Sequence, residues 1–290
     1  MIQEEQIQIN GTKLNYAVAG DGPPMIFLHN GGGFWHSWEH QMKHFCSLYS
    51  VYGIDWPGFG ESEPADGLLT LEVLYETLRE FIHVKHLSEV VLVGNCIGAS
   101  AACKYAQEHP EQVSGLVLFN ICPGDLIFPR FFFRSFIPGL NDHPRLKKIS
   151  GTLLEWMFLR TPVKRKFPKI LFGNKFDSRS ELVLRYNEKF KTDRQTKSRI
   201  NLLFSVHTYT YKTYLDRPLK IPHMLLWGAE NKVTAYSRHG EHHRNLLQPT
   251  RFELVTEAGH LCMYERPDIV NQLINQYLLQ CTDPNCNITI

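Results

Sequence analysis

The run Val90-Val91-Leu92-Val93-Gly94-Asn95-Cys96-Ile97-Gly98-Ala99-Ser100 decides how the rest of the chain is read. Four apolar residues lead straight into Gly-x-Cys-x-Gly, and small residues continue at helical spacing to Glu108, where Pro110 stops them. A strand that turns so sharply into a helix forces unusual dihedrals on the middle residue and brings neighbouring chains close. Small residues are therefore needed on both sides, and Gly94, Gly98 and Ala99 supply them. The Cys96 side chain is left at the carboxyl edge of a sheet and at a helix N-terminus, where the positive end of the dipole favours a thiolate. Alone the spacing means little, since a free Cys is often only a small packed hydrophobe. Between a buried strand and a helix of small residues it makes Cys96 the candidate nucleophile.

Working outward, Ile7 to Ala19 alternates around Asn10-Gly11, which predicts an antiparallel hairpin at a sheet edge. Met25 to His29 and Val51 to Asp55 are short apolar runs that each end in a Gly- or Pro-rich loop, as buried parallel strands do. Leu71, Leu74, Tyr75, Leu78, Phe81 and Ile82 recur at helical spacing behind Thr70, a candidate N-cap. Val113 to Asn120, His223 to Trp227 and Arg251 to Val255 read as further strands, and Pro267 to Leu279 as an amphipathic helix. The alternation predicts an α/β fold, a mostly parallel sheet flanked by helices. Between residues 122 and 218 the strand rhythm stops. That segment is aromatic, basic and interrupted by prolines, so it is expected to be an inserted helical cap over a core made of 1–121 and 219–290.

Two further loops complete the expected site. His29-Asn30-Gly31-Gly32-Gly33 follows a strand where backbone amides can hold a developing oxyanion, which makes the amides of Gly31 and Ile97 the candidate pair of donors. His260 follows the last strand in Glu257-Ala258-Gly259-His260, where it can swing over the elbow and take the thiol proton. Its place after the nucleophile in chain order selects it from 14 histidines.

With these parts assembled the chain resembles the capped α/β-hydrolase superfamily. The resemblance rests on His29 to Gly33, Asp55-Trp56-Pro57-Gly58-Phe59-Gly60-Glu61-Ser62, the elbow at Cys96, Leu226-Trp227-Gly228 and Gly259-His260. It implies an α/β-hydrolase fold, a nucleophile, base and acid triad, and acyl transfer or hydrolysis without a cofactor or metal. Two departures stand out. The family's Asp three residues after the glycine of the Trp-Gly segment is Asn231 here, and the alternative acid position, at the end of the strand before the cap, is Asn120. Asn231 is the first candidate to orient the imidazole, as Asn does in Cys-His-Asn proteases, with Glu230 and Asp125 behind it. Haloalkane dehalogenases and epoxide hydrolases of this superfamily attack with Asp, so a Cys elbow argues against both activities. Cys elbows occur in dienelactone hydrolases and polyhydroxyalkanoate synthases, which resemble this chain only at the motif.

The expected function is therefore esterase or thioesterase chemistry through a Cys96 acyl intermediate, or acyl transfer or cyclisation on a carrier-bound substrate. A ligand receptor on a hydrolase scaffold is the alternative of another class, favoured by the loss of both acid positions. Charge suggests the partner. Residues 125–217 hold 20 Lys and Arg against 8 Asp and Glu, whereas the remainder holds 11 against 21. A basic cap on an acidic body suits coenzyme A or an acyl-carrier protein, though such a surface is equally often only solvated. Basic residues are not arranged in any nucleic-acid module, and seven cysteines lack metal-ligand spacing. MIQEEQIQIN carries no secretory pattern and no stretch is long enough to span a bilayer, so the expected location is cytoplasmic.

Overall fold

The computed structural model describes residues 1–122, 143, 145, 149, 170–177, 179–189, 192–209 and 218–282. Strands β1 (Gln3–Ile9) and β2 (Thr12–Ala19) form the expected hairpin, with Asn10 and Gly11 at φ 49° and 77° in its turn. There follow β3 (Pro24–Leu28), α1 (Glu39–Phe45), β4 (Ser50–Ile54), α2 (Leu71–Val84), β5 (Val90–Asn95), α3 (Ile97–Glu108) and β6 (Val113–Phe119). Helices α4 (Glu181–Lys189) and α5 (Asp193–Ser205) lie in the stretch predicted to be helical cap. The chain then gives β7 (Met224–Gly228), α6 (Glu241–Leu247), β8 (Arg251–Val255), α7 (Cys262–Glu265) and α8 (Pro267–Thr282).

The eight strands lie in the order β1-β2-β4-β3-β5-β6-β7-β8, antiparallel at the β1-β2-β4 edge and parallel from β4 onward. All six residues of β5 are buried, as a central strand covered on both faces requires. Val90 and Leu92 pack with Leu74, Leu78 and Phe81 of α2 and Ala102 of α3, while Val91 and Val93 face Met42 and Phe45 of α1 and Ile274 of α8. Full burial of each such side chain is worth about 1.5–3 kcal/mol, so the two-sided core fixes the strand that carries the elbow. Thr70 caps α2 by accepting the Val73 amide at 3.2 Å.

The Asp55 to Ser62 run is a structural brace. Asp55 Oδ1 accepts the Trp35 amide at 2.7 Å, and Oδ2 accepts Asn15 Nδ2 at 2.9 Å and the Glu61 amide at 3.0 Å. Gly60 lies so close that a Cβ would fall 1.9 Å from Asp55 Oδ2. Burial pushes the Asp55 carboxyl up to about 6 against the pull of these donors. Helix α5 rests on this loop: Arg194 Nη2 and Gln195 Nε2 both donate to Gly60 O, at 2.7 and 3.1 Å. Among the described residues, no helix is long and apolar enough to cross a membrane.

Candidate active site

Cys96 sits between β5 and α3 with φ 56° and ψ −113°, a conformation that ordinarily costs about 1–3 kcal/mol. The surroundings leave it no alternative. A Cβ on Gly94 would lie 2.5 Å from Gly98 O, and one on Gly98 would lie 2.3 Å from Leu28 O; both obstacles are main chain. The Cys96 amide donates to Phe119 O at 2.9 Å, while its carbonyl accepts the amides of Ser100 at 3.1 Å and Cys122 at 3.3 Å.

The sulfur is buried, yet its thiol is held well below the usual value. The largest cause is the Cys122 thiol, hydrogen-bonded to the Cys96 sulfur; burial acts against it. A hydrogen bond from His260, the positive charge of that imidazole and a hydrogen bond from the Ile97 amide add to the lowering. The elbow thus gathers Cys96, His260 and Ile97 as the spacing predicts. Tyr209 closes one side: its buried hydroxyl donates to Leu69 O at 2.7 Å, and burial, followed by the charge at Cys122 and Cys96, keeps the phenol protonated.

Asn231 does not orient the imidazole, which corrects the first expectation for that role. Its Oδ1 accepts the amides of Val233 and Thr234 at 2.9 and 3.0 Å, and its Nδ2 donates to Asn120 Oδ1 and Thr234 Oγ1 at 2.9 and 2.8 Å. That uses its whole hydrogen-bonding capacity inside its own turn. Glu230 is turned elsewhere, its Oε2 accepting the Asn174 amide at 2.5 Å, and Asp125 lies outside the described residues. Among the described residues, His260 Nδ1 is buried without a hydrogen-bond partner.

What holds His260 is its backbone. Its carbonyl accepts Asn95 Nδ2 at 3.1 Å and Asn120 Nδ2 at 3.2 Å, and Asn120 Nδ2 also reaches Asn95 Oδ1 at 3.1 Å. Asn120 Oδ1 accepts the Gly228 amide at 3.0 Å, so one side chain ties β5, β6, β7 and the histidine loop together. Glu265 fixes the loop from its other side, accepting the amides of Gly259 at 2.8 Å and Gly173 at 2.7 Å; burial pushes its carboxyl up to about 7. Sequence reasoning missed Cys122, Asn95 and Glu265. The available signal was their closeness in sequence to residues already singled out: 95 beside 96, 122 beside 120, and 265 at the opening of the last helix.

Gly31 lies beside the elbow, the position of its missing Cβ being 3.8 Å from Ile97 Cδ1 and 2.6 Å from Leu202 Cδ2 of α5. His29 is architectural: its Nε2 accepts the Trp56 amide at 2.9 Å, its Nδ1 lies 2.7 Å from Asn30 O, and burial lowers it to about 3. Asn30 accepts the Tyr186 hydroxyl at 3.2 Å, which joins the loop to α4.

Comparison with known proteins agrees with this architecture. Mouse epoxide hydrolase 4 is 25% identical over 96% of this chain and 79% of its own length. The AB hydrolase superfamily protein YfhM of Bacillus subtilis (strain 168) is 25% identical over 94% of this chain and 96% of its own. The structure of a thermophilic esterase from Thermogutta terrifontis superposes with a TM-score of 0.76 at 19% identity, covering 97% of this chain and all of that one. Residues 23–267 match the family described as alpha/beta hydrolase fold. Together with the sheet order and the elbow, that match establishes that the chain belongs to the α/β-hydrolase fold family.

Proposed function

We propose that this chain is a hydrolase that cleaves an ester or thioester through an acyl intermediate on Cys96. The observation that carries the reading is the strained elbow that turns Cys96 out of the sheet at the N-terminus of α3, with the His260 loop tied by Asn95 directly beside it. Cys96 attacks the carbonyl carbon, the amides of Ile97 and Gly31 receive the oxyanion, and His260 protonates the leaving group before activating the water that releases the acid. A thiolate already stabilised by Cys122 and His260 needs no carboxylate behind the imidazole, which fits Asn at both family acid positions. Removing one oxyanion donor typically costs about 3 kcal/mol.

The nucleophile also limits the substrate. The relatives named epoxide hydrolase 3 and 4 invite an epoxide reading. Sulfur attack on an epoxide carbon, however, leaves a hydroxyalkyl thioether, which has no carbonyl for water to attack, so turnover stops after one event. A carbonyl substrate leaves a thioester, which water, an alcohol or an amine can cleave. Acyl transfer to such an acceptor is the neighbouring activity, and the basic balance of residues 125–217 favours coenzyme A or an acyl-carrier protein as donor.

Intact-mass measurement after incubation with a panel of acyl thioesters and aryl esters tests the reading. The expected result is a single acyl adduct on the native chain that is absent from Cys96→Ala. No adduct with any donor, together with iodoacetamide labelling of Cys96 no faster than of the other cysteines, would sink it. The unpartnered His260 Nδ1 would then favour a receptor on a hydrolase scaffold.

A further inference from the structure

We propose that Cys96 and Cys122 are a redox pair: a small hydroperoxide oxidises Cys96, and Cys122 resolves the product as a Cys96–Cys122 disulfide. The pair is built into the fold. Cys122 lies three residues beyond β6 and Cys96 directly after β5, the Cys122 amide donates to Cys96 O at 3.3 Å, and the Cys122 thiol is the largest cause of the lowering at Cys96. Disulfide closure needs two cysteines on adjacent backbone, and the amide contact sets these two side by side. Neither residue is joined in a disulfide.

The two sulfurs also have unlike chemistry, as a peroxidatic and a resolving thiol require. Cys96 stands at the N-terminus of α3 with its thiol held well below the usual value, whereas Cys122 lies in the loop beyond β6. The other buried cysteines lack this. Burial pushes Cys262 up to about 12 and Cys103 higher still, so neither presents a thiolate near neutral pH. In the first step the Cys96 thiolate attacks one peroxide oxygen; an S–O bond forms, the O–O bond breaks, and the departing hydroxide takes the His260 proton to leave as water. In the second, His260 removes the Cys122 proton, the Cys122 sulfur attacks Cys96, an S–S bond forms and the S–O bond breaks. The departing hydroxide regains the proton as a second water. Two electrons pass from the sulfur pair to the peroxide, and a thiol reductant resets the site.

The redox pair uses the Cys96 thiolate and His260 of the proposed acyl chemistry and rests on that reading only for the reactive thiolate, and its disulfide product differs from an acyl adduct, so both can be read from one preparation. The full chain is treated with a few equivalents of hydrogen peroxide, its remaining thiols are blocked with N-ethylmaleimide, and non-reduced tryptic peptides are mapped. The expected product links peptide 86–104 to peptide 105–130, lighter by two hydrogens and separated again by dithiothreitol. Fragmentation assigns the link to Cys96 rather than Cys103, which share a peptide. Cys122→Ser keeps a hydrogen-bond donor beside Cys96 but cannot close the bond; there a dimedone-reactive sulfenic acid accumulates at Cys96 and passes on to sulfinic acid. The acyl-adduct assay on the same protein separates the two ideas. Sulfenic or sulfinic acid at Cys96 of the native chain without the link, alongside a normal acyl adduct, overturns the redox pair and leaves the acyl reading intact. The link without any acyl adduct does the reverse, and a Cys96 that neither oxidises nor acylates overturns both.

Discussion

The sulfur of Cys96 owes its low pKa first to another thiol and only then to an imidazole. A weak S–H donor beside a buried thiolate supplies the stabilisation that a carboxylate behind the histidine would otherwise supply indirectly. Removing that donor in Cys122→Ala is expected to move the pH inflection of Cys96 alkylation upward towards an ordinary thiol, with activity at neutral pH falling in step. Iodoacetamide rates measured across pH check the shift, and an unchanged inflection would leave His260 as the whole cause. Asn231 makes the complementary point. Its Nδ2 donates to Asn120 Oδ1, so Asn231→Asp would set a carboxylate oxygen against that carbonyl oxygen in a buried turn. Restoring the family's acid is therefore expected to cost stability, about 1–3 kcal/mol by urea unfolding, without raising activity.

At the scale of elements, the site is the meeting of three strand ends with α3 and α5, and two glycines distinguish a rigid contact from a soft one. A methyl on Gly98 meets the Leu28 carbonyl, which cannot move without moving β3; Gly98→Ala is expected to lose both elbow geometry and about 1–3 kcal/mol of stability. A methyl on Gly31 meets only the tip of Leu202. Gly31→Ala is expected to fold normally and turn over more slowly, and Leu202→Ala in the same chain to restore part of the rate. A double-mutant cycle in kcat measures the coupling, and additive effects would mean that α5 does not bear on the oxyanion loop. The same contrast explains what the sequence made legible. Gly94, Gly98 and the Asp55 to Ser62 run declare themselves because backbone contact excludes every other residue type. The alternation in Val90 to Val93 and the helical spacing of Leu71 to Ile82 likewise follow directly from burial on defined faces. Asn231 and Asn120 could be placed at their strand ends but not oriented, because an amide has several partners of similar energy and only the packed turn selects among them. Asn120 stands at φ 42°, a left-handed position that Asn tolerates, so its residue type answers to backbone as well as to chemistry. Cys122 was invisible for a different reason: a Cys three positions beyond a strand carries no periodic signal, and only the β5–β6 pairing brings it to the elbow.

For the molecule as a whole, burial of titratable groups sets an acid limit whose shape follows from signs alone. His29 and His243 are almost wholly buried, and burial lowers them from 6.5 to about 3 and about 4. As pH falls below 6.5 the unfolded chain binds protons that the folded chain refuses, and stability is lost until pH passes each folded value. Asp55 and Glu265 work in the opposite direction. Burial raises them from 3.8 to about 6 and from 4.5 to about 7, so their contribution is complete below the unfolded values and lost as pH rises through the folded ones. Exposed pairs such as Asp177 with Arg179 weigh little in this balance. Between pH 6 and 4.5 the two carboxyls, each at about 1.4 kcal/mol per pH unit, offset His29 and His243, while His36, lowered by burial to about 4, and His223, also lowered by burial, leave a net decline. Below about 4.5 the unfolded chain also takes up the Glu265 proton, below about 3.8 the Asp55 proton, and the histidines are then unopposed by either. Urea unfolding across pH is therefore expected to show a shallow decline from 6 to 4.5 and then a steeper fall of about 1–3 kcal/mol per unit. Glu265→Gln removes one opposing carboxyl and should steepen the decline from about pH 6 downward. Stability that stays level to pH 3.5 in the native chain would mean that His29 and His243 admit protons while folded, and that the core around the oxyanion loop is more open than its contacts indicate.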